Sequence, residues 1–143
     1  MNNKAITTII ISIVTIIIGM VLNFKEFLIG SFATTKNLIV TFMYIIICLF
    51  ILNIGIKYKN RPIMKYCSIF WTIMLFVSIL TSFINITGVY INWVLPFITL
   101  FLSQWYGIRY FVKSFIPASI IVVFISFIML VISVISLKHM KKA

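Results

Sequence analysis

Acidic residues are almost absent from this chain, which has a single Asp or Glu among its 143 residues, Glu26. Histidine is equally scarce, and His139 is the one instance. Catalysis by paired carboxylates is therefore excluded within the chain, and a metal site or a Ser–His–Asp triad lacks its partners. Glycine-rich phosphate loops and other catalytic motifs are missing as well. We expect a protein that is not an enzyme and that has no catalytic residues, no metal and no cofactor.

Cysteine is also rare, and the two cysteines do not form a CxxC pair. Cys48 lies inside an apolar run and Cys67 lies at the edge of another. A free cysteine in such a position packs as a small hydrophobic residue. We therefore expect neither a disulfide framework nor a cysteine metal site.

Polar side chains are too few to cover a soluble domain of this length. Hydrophobic residues make up 64% of the chain and charged residues 9%. Apolar runs of about 18 residues or more recur, and runs of this length are typical of transmembrane helices. We expect an all-α, multi-pass integral membrane bundle that forms a single transmembrane domain over residues 1–143.

Five hydrophobic helices are predicted from these runs. Their ranges are 5–22, 37–56, 63–84, 89–108 and 115–137. The first run is rich in β-branched residues, but in lipid only a helix satisfies its own backbone. We interpret this run as a retained anchor and not as a signal peptide, because no small-residue cleavage site follows it.

The segment 89–108 is open to two interpretations. Pro96 interrupts its apolar centre, while Trp93 and Trp105 near its ends resemble the interfacial aromatic belts of a spanning helix. The distribution of Lys and Arg favours four spans with both termini on one side. The cost of unsatisfied backbone in lipid favours five spans. We predict five helices, with four spans plus a re-entrant or interfacial segment at 89–108 as the alternative.

A basic stretch at 57–66 separates the second and third runs and is predicted to stay in water. Its cations are Lys57, Lys59, Arg61 and Lys65. The positive-inside rule places this stretch in the cytoplasm, and its cations suit contacts with lipid headgroups. The formal charge of +11 is spread over the ends of the apolar runs. We therefore expect the lipid bilayer as partner and no nucleic acid.

Small residues recur every seven positions on two of the predicted helices. They are Ser119, Ser126 and Ser133 on the last helix and Thr41, Cys48 and Gly55 on the second. A seven-residue repeat keeps one stripe of a helix towards its neighbour, and small residues allow close approach in lipid. We interpret both stripes as helix-packing seams; a polar path for a solute is the alternative.

An apolar surface without catalytic or ion-coupling residues predicts a small non-enzymatic membrane protein. We expect an accessory or immunity-type subunit that binds a larger membrane protein or a second copy of itself. The alternative is a homo-oligomeric pore or facilitator for a small solute. The frequent use of Ile, Asn, Lys and Phe indicates an AT-rich coding sequence, and we expect the bacterial plasma membrane as its location.

Overall fold

Four long helices and one broken segment form the fold, seen in a computed structural model that describes residues 3–89 and 91–142. The helices are α1 (Asn3–Ile29), α2 (Thr35–Lys57), α3 (Arg61–Thr87), α4 (Leu95–Leu102), α5 (Arg109–Val112) and α6 (Phe115–Lys142). Two 3-10 stretches occupy Asn92–Val94 and Ser103–Ile108. The prediction of an all-α membrane bundle is confirmed, since α1, α2, α3 and α6 are each long and apolar enough to cross a membrane.

The long helices extend beyond the predicted apolar runs. α1 has 27 residues and is therefore about 40 Å long. It continues past residue 22, where the predicted first helix ends, through Asn23, Lys25 and Glu26. α3 begins at Arg61, because the side chain of Asn60 accepts a hydrogen bond from the N–H of Ile63 at 3.3 Å. The basic stretch therefore contains a short turn at 58–60 followed by the first turns of a helix.

Residues 89–108 do not form the spanning helix predicted for them. α4 has a proline in its first turn and ends after eight residues, and six residues in 3-10 conformation follow. The arrangement is the alternative one, with four spans and a re-entrant segment. We use the term re-entrant segment for residues 92–112. Side chains of α1 and α2 bond three of its backbone groups, at Ser103, Gln104 and Gly107, which lowers the cost that favoured a fifth span.

The re-entrant segment enters the bundle and leaves it at the same end. We call the 3-10 stretch Ser103–Ile108 its tip. The tip lies against the middle of α1, where a Cβ on Gly19 would be only 2.8 Å from Cβ of Gln104. Gly19 is roughly 15 Å from the C-terminal end of α1. Arg109 has already returned to that end, since its guanidinium bonds the carbonyls of Gly30 and Ser31. The tip therefore reaches about half the depth of the bundle.

Both ends of the described chain lie at the other end of the bundle. Lys4 Nζ is 6.0 Å from the ring centroid of Tyr58, which places the start of α1 beside the turn at 58–60. α3 and α6 pack antiparallel along their lengths, and Ser82 Oγ lies 3.0 Å from Ser119 Oγ where α6 begins. The last turns of α6 therefore lie at the same end as Lys4.

This topology predicts the sidedness of reporters. A reporter fused after Ala143 and one inserted in the turn at 58–60 should report the same side of the membrane. An insertion at 32–33, between α1 and α2, should report the opposite side. Alkaline phosphatase and fluorescent protein fusions measure this directly, and opposite sides for the first two fusions would restore the five-span arrangement.

Candidate functional site

The tip of the re-entrant segment is enclosed by protein. Every residue from 102 to 109 is buried. A backbone without α-helical bonds has no water to bind at this depth, so its carbonyl and N–H groups need protein partners. The 3-10 stretch Ser103–Ile108 has six residues, which is longer than such stretches usually are. Side chains from α1 and α2 supply the partners that hold it.

Thr41 of α2 bonds the backbone of the tip twice. Its Oγ1 donates to the carbonyl of Gln104 at 2.7 Å and accepts from the N–H of Gly107 at 2.9 Å. Gly107 permits this approach, because a Cβ there would lie 2.6 Å from Thr41 Oγ1 and 2.7 Å from the carbonyl carbon of Asn37. One hydroxyl therefore satisfies both an acceptor and a donor of the tip.

Two buried asparagines bond the same backbone from α1 and α2. Asn23 Nδ2 donates to the carbonyl of Ser103 at 2.9 Å, and Asn37 Nδ2 donates to Asn23 Oδ1 at 2.9 Å. Asn37 Oδ1 accepts from both the N–H and the hydroxyl of Thr34, each at 2.8 Å. Both amides have 0% exposure. This chain of bonds joins the tip to the turn between α1 and α2.

Large aromatic rings pack around the tip. Trp105 meets Tyr44 edge-on, with 5.3 Å between centroids, and its centroid is 6.4 Å from that of Trp71. The rings of Phe70 and Phe101 are also 6.4 Å apart. Such pairs add to the stabilisation from buried apolar area. They fasten the re-entrant segment to α2 and α3.

Arg109 is a buried cation, with 8% exposure, at the point where the re-entrant segment returns to the end of α1. Its Nη1 donates to the carbonyls of Ser31 at 3.0 Å and Gly30 at 3.3 Å, and to the hydroxyl of Tyr106 at 2.6 Å. Its Nη2 donates to the carbonyl of Lys113 at 3.3 Å. The first two carbonyls follow the C-terminus of α1, where the helix dipole is negative.

Aromatic rings cover the guanidinium of Arg109. The ring centroid of Phe115 is 3.7 Å from Arg109 Cζ, and that of Tyr106 is 5.1 Å away. Both distances lie within the range of a cation–π interaction, which strengthens when the cation is desolvated. Tyr106 itself is held by a hydrogen bond from its hydroxyl to the carbonyl of Ser31.

The charge of Arg109 is not matched by a carboxylate. Glu26, the one acidic residue, is paired with Lys36 at 2.6 Å. Nε of Arg109 has no hydrogen-bond acceptor among the described residues. Partial charges and ring faces therefore surround this cation, while a full negative charge is missing from its described surroundings.

A cleft of about 380 Å³ opens beside Arg109, between the α3–α6 pair and the re-entrant segment. Most of its lining is apolar, including Ile98 of α4, Ala118 and Val122 of α6. Leu95, which is 43% exposed, also lines it. We call this space the cleft. It combines an apolar interior with a cation at one end.

The predicted serine seam of α6 lies against α3. Ser119, Ser126 and Ser133 are all buried. Ser119 Oγ accepts a hydrogen bond from Ser82 at 3.0 Å, and Ser133 Oγ donates to the carbonyl of Met129 at 2.7 Å. α3 and α6 form the most extensive helix pair of the structure. The seam therefore lies in a helix interface.

The predicted seam of α2 is divided between neighbours. Thr41 bonds the re-entrant tip, as described above, and Cys48 is buried in the core. Gly55 lies against the start of α3, where a Cβ would be 3.1 Å from Cγ2 of Ile63. The three residues share one buried stripe but have different partners.

The predicted headgroup cations are far from the cleft. Lys57, Lys59, Arg61 and Lys65 are all exposed at the end that carries the turn at 58–60. The cleft and Arg109 lie at the opposite end. The role of these cations towards lipid headgroups stays a prediction.

Sequence reasoning does not single out Asn23, Asn37 and Arg109, which form much of the site. Two of them carry a usable signal. Asn23 follows Gly19 by four residues and Asn37 precedes Thr41 by four, so helical spacing puts each amide on the inward face of its helix. Arg109 carries none, because its burial depends on the return of the re-entrant segment to α1.

Comparison of the chain with protein-family models, with curated proteins and with solved structures gives no match. Fold and site alone therefore define the class. The chain is a helical membrane bundle of four long apolar helices that enclose a re-entrant segment.

Thr41→Val should destabilise the bundle, because it keeps the shape of the side chain but leaves the Gln104 carbonyl and the Gly107 N–H unpaired. We expect a loss of about 1–3 kcal/mol in the free energy of unfolding. Thr41→Ser keeps the hydroxyl and should lose much less. Cys48 and Cys67 are buried and free, so a thiol-reactive fluorophore can follow thermal unfolding in detergent. Equal unfolding temperatures for the two variants would contradict the role given to this hydroxyl.

Gly107→Ala should be more destabilising than Gly88→Ala. The first forces a Cβ against α2, and overpacking of this kind costs about 3 kcal/mol at the upper end. Gly88 has a positive φ of 69° but open space around a Cβ, so its substitution adds only backbone strain of about 1 kcal/mol. The same thiol measurement ranks the two, and the reverse order would show that the re-entrant tip is not packed against α2.

Proposed function

We propose that this chain is a small non-enzymatic membrane protein that acts by binding, as an accessory or immunity-type subunit. The observation that carries the proposal of a binding role is the cleft beside Arg109, a largely apolar cavity with a few polar residues in its lining. Cavities of this form are the usual binding sites for small molecules and cofactors. The hydroxyls of Thr81 and Ser119, which line the cleft, are hydrogen-bonded to carbonyls of their own helices. They are not arranged for proton transfer or for nucleophilic attack.

The proposed location is the bacterial plasma membrane, with the turn at 58–60 in the cytoplasm. The cations at that end, besides those of the basic stretch, include Lys4 and Lys138. The opposite end has fewer cations and also carries Glu26. Lys and Arg near span ends are retained on the cytoplasmic side, which supports this orientation. The cleft then opens in the outer half of the membrane.

A homo-oligomeric pore has less support. Of its expected lining, Thr41, Ser119 and Ser133 are hydrogen-bonded within the chain, and Ser126 is buried. The surface that a second copy would meet is apolar, as the exposures of Phe76 (66%) and Phe124 (65%) illustrate. A passage lined by such side chains tends to lose its water.

The proposed subunit should be part of a larger assembly in its native membrane. After extraction in a mild detergent, the tagged chain should elute together with a larger membrane protein in stoichiometric amount. An unrelated four-span protein with the same tag is the control. A strictly monomeric chain without a partner would count against the accessory role.

The same purified chain should leave vesicles tight. Reconstituted at high protein-to-lipid ratio, it should not increase the release of a small trapped solute. Release that rises with protein loading would overturn the binding role in favour of the pore.

A further inference from the structure

The described surroundings of Arg109 lack a full negative charge that would balance its guanidinium. Four hydrogen-bonded acceptors, three of them carbonyls and one a hydroxyl, carry only partial negative charge. The one acidic side chain is engaged with Lys36. A cation removed from water is costly unless a full opposite charge approaches it. Nε, which is enclosed by protein, also lacks an acceptor among the described residues, and Arg109 itself lines the cleft.

The cleft extends from this cation into the apolar interior. On α6 its lining runs from Phe115 to Val122, and along α3 it runs from Thr81 to Gly88, the residue that follows the helix. Either distance corresponds to about two helical turns, or roughly 10 Å. Val89 and Leu95 at its edge are exposed on the apolar surface of the bundle. The cleft is therefore long enough and apolar enough to hold a short length of acyl chain, which would enter from the surrounding lipid.

We propose that the cleft binds one molecule of an anionic phospholipid, with the phosphate of its headgroup at Arg109 and part of one acyl chain between α3 and α6. The anion supplies the charge that the described surroundings of Arg109 lack. The apolar lining accounts for the chain, which free phosphate does not have. Exposed Lys25 and Lys113 lie at the same end, and they favour a headgroup with net negative charge over a zwitterionic one.

This proposal rests on the cleft as the binding site of the proposed function, but it requires no protein partner. The purified chain in a neutral detergent is therefore sufficient for its test. Loss of lipid binding and loss of a co-purifying protein are then separate results.

The test measures thermal unfolding through the buried cysteines while short-chain phosphatidylglycerol is added. Phosphatidylcholine of the same chain length and inorganic phosphate are the comparison ligands. We expect an apparent affinity for phosphatidylglycerol roughly tenfold above that for phosphatidylcholine, because both lipids offer a phosphate to Arg109 but Lys25 and Lys113 repel the choline cation. Inorganic phosphate should produce no shift in the unfolding temperature. Equal shifts from the two lipids, or a shift from phosphate alone, would overturn the proposal.

Two substitutions on α4 locate the binding. Leu95→Trp fills the edge of the cleft, whereas Phe97→Trp adds the same ring to an exposed position of the same helix that does not line it. Leu95→Trp should reduce the affinity for phosphatidylglycerol at least tenfold, and Phe97→Trp should leave it unchanged. Equal affinity in both variants would place the lipid elsewhere and refute the site.

Arg109→Gln tests the headgroup contact. It should lower the affinity for phosphatidylglycerol at least tenfold, because the phosphate loses its charge-assisted hydrogen bond, whereas Lys25→Gln, which removes one exposed cation from the same end, should lower it much less. Because Arg109 also bonds the end of α1, the unfolding temperature without lipid shows whether Arg109→Gln folds. If it does not fold, the comparison of Leu95→Trp with Phe97→Trp decides alone. A folded Arg109→Gln that keeps the full affinity for phosphatidylglycerol would refute the contact.

Discussion

A carbonyl or N–H group in the hydrocarbon layer must bond to protein, and much of this bundle is arranged to meet that requirement at Ser103–Ile108. Asn23 and Thr41 bond its backbone from two different helices. Because each side chain has one position that completes these bonds, α1 and α2 are fixed relative to the re-entrant segment and hence to each other. Gly19 and Gly107 allow the contact distances that short side chains need. The buried hydrogen bonds of Asn23 and Thr41 therefore help to determine how the apolar helices assemble, because lipid provides no hydrophobic drive between helices.

The return of the re-entrant segment accounts for the burial of Arg109. The 3-10 stretch brings the guanidinium to the C-terminal end of α1 and beneath the ring of Phe115. Arginine suits this position better than lysine, because its planar fork reaches several acceptors at once and stacks on a ring. The dipole at the end of α1 and the ring faces reduce the cost of burial. The same arrangement places Arg109 on the wall of the apolar cleft, so the structural role of Arg109 and its proposed binding role arise from one geometry.

Composition and apolar run length were sufficient to predict the helical membrane bundle, and a seven-residue spacing indicated the stripe on α6 that lies against α3. Whether residues 89–108 form a spanning helix or a re-entrant segment could not be predicted in the same way. Hydropathy measures the transfer of a segment from water to lipid, whereas the tip of this segment is surrounded by protein. The side chains that bond its backbone, Asn23 and Thr41, lie more than 60 residues away in sequence. Asn23 illustrates the difficulty. A polar residue at the end of an apolar run indicates a loop, but here α1 continues and the amide turns inward to Ser103.

A fifth continuous helix at 89–108 would satisfy its own backbone and would need neither Asn23 nor Thr41 in the core. The broken segment requires both, and its tip reaches only half the depth of the bundle. A full span would carry residue 109 towards the far end of the bundle, away from Gly30 and Ser31. What the re-entrant path provides, therefore, is a cation and an apolar cleft at the same end. The hydrogen bonds of Asn23 and Thr41 support this arrangement, because they hold the re-entrant segment in place.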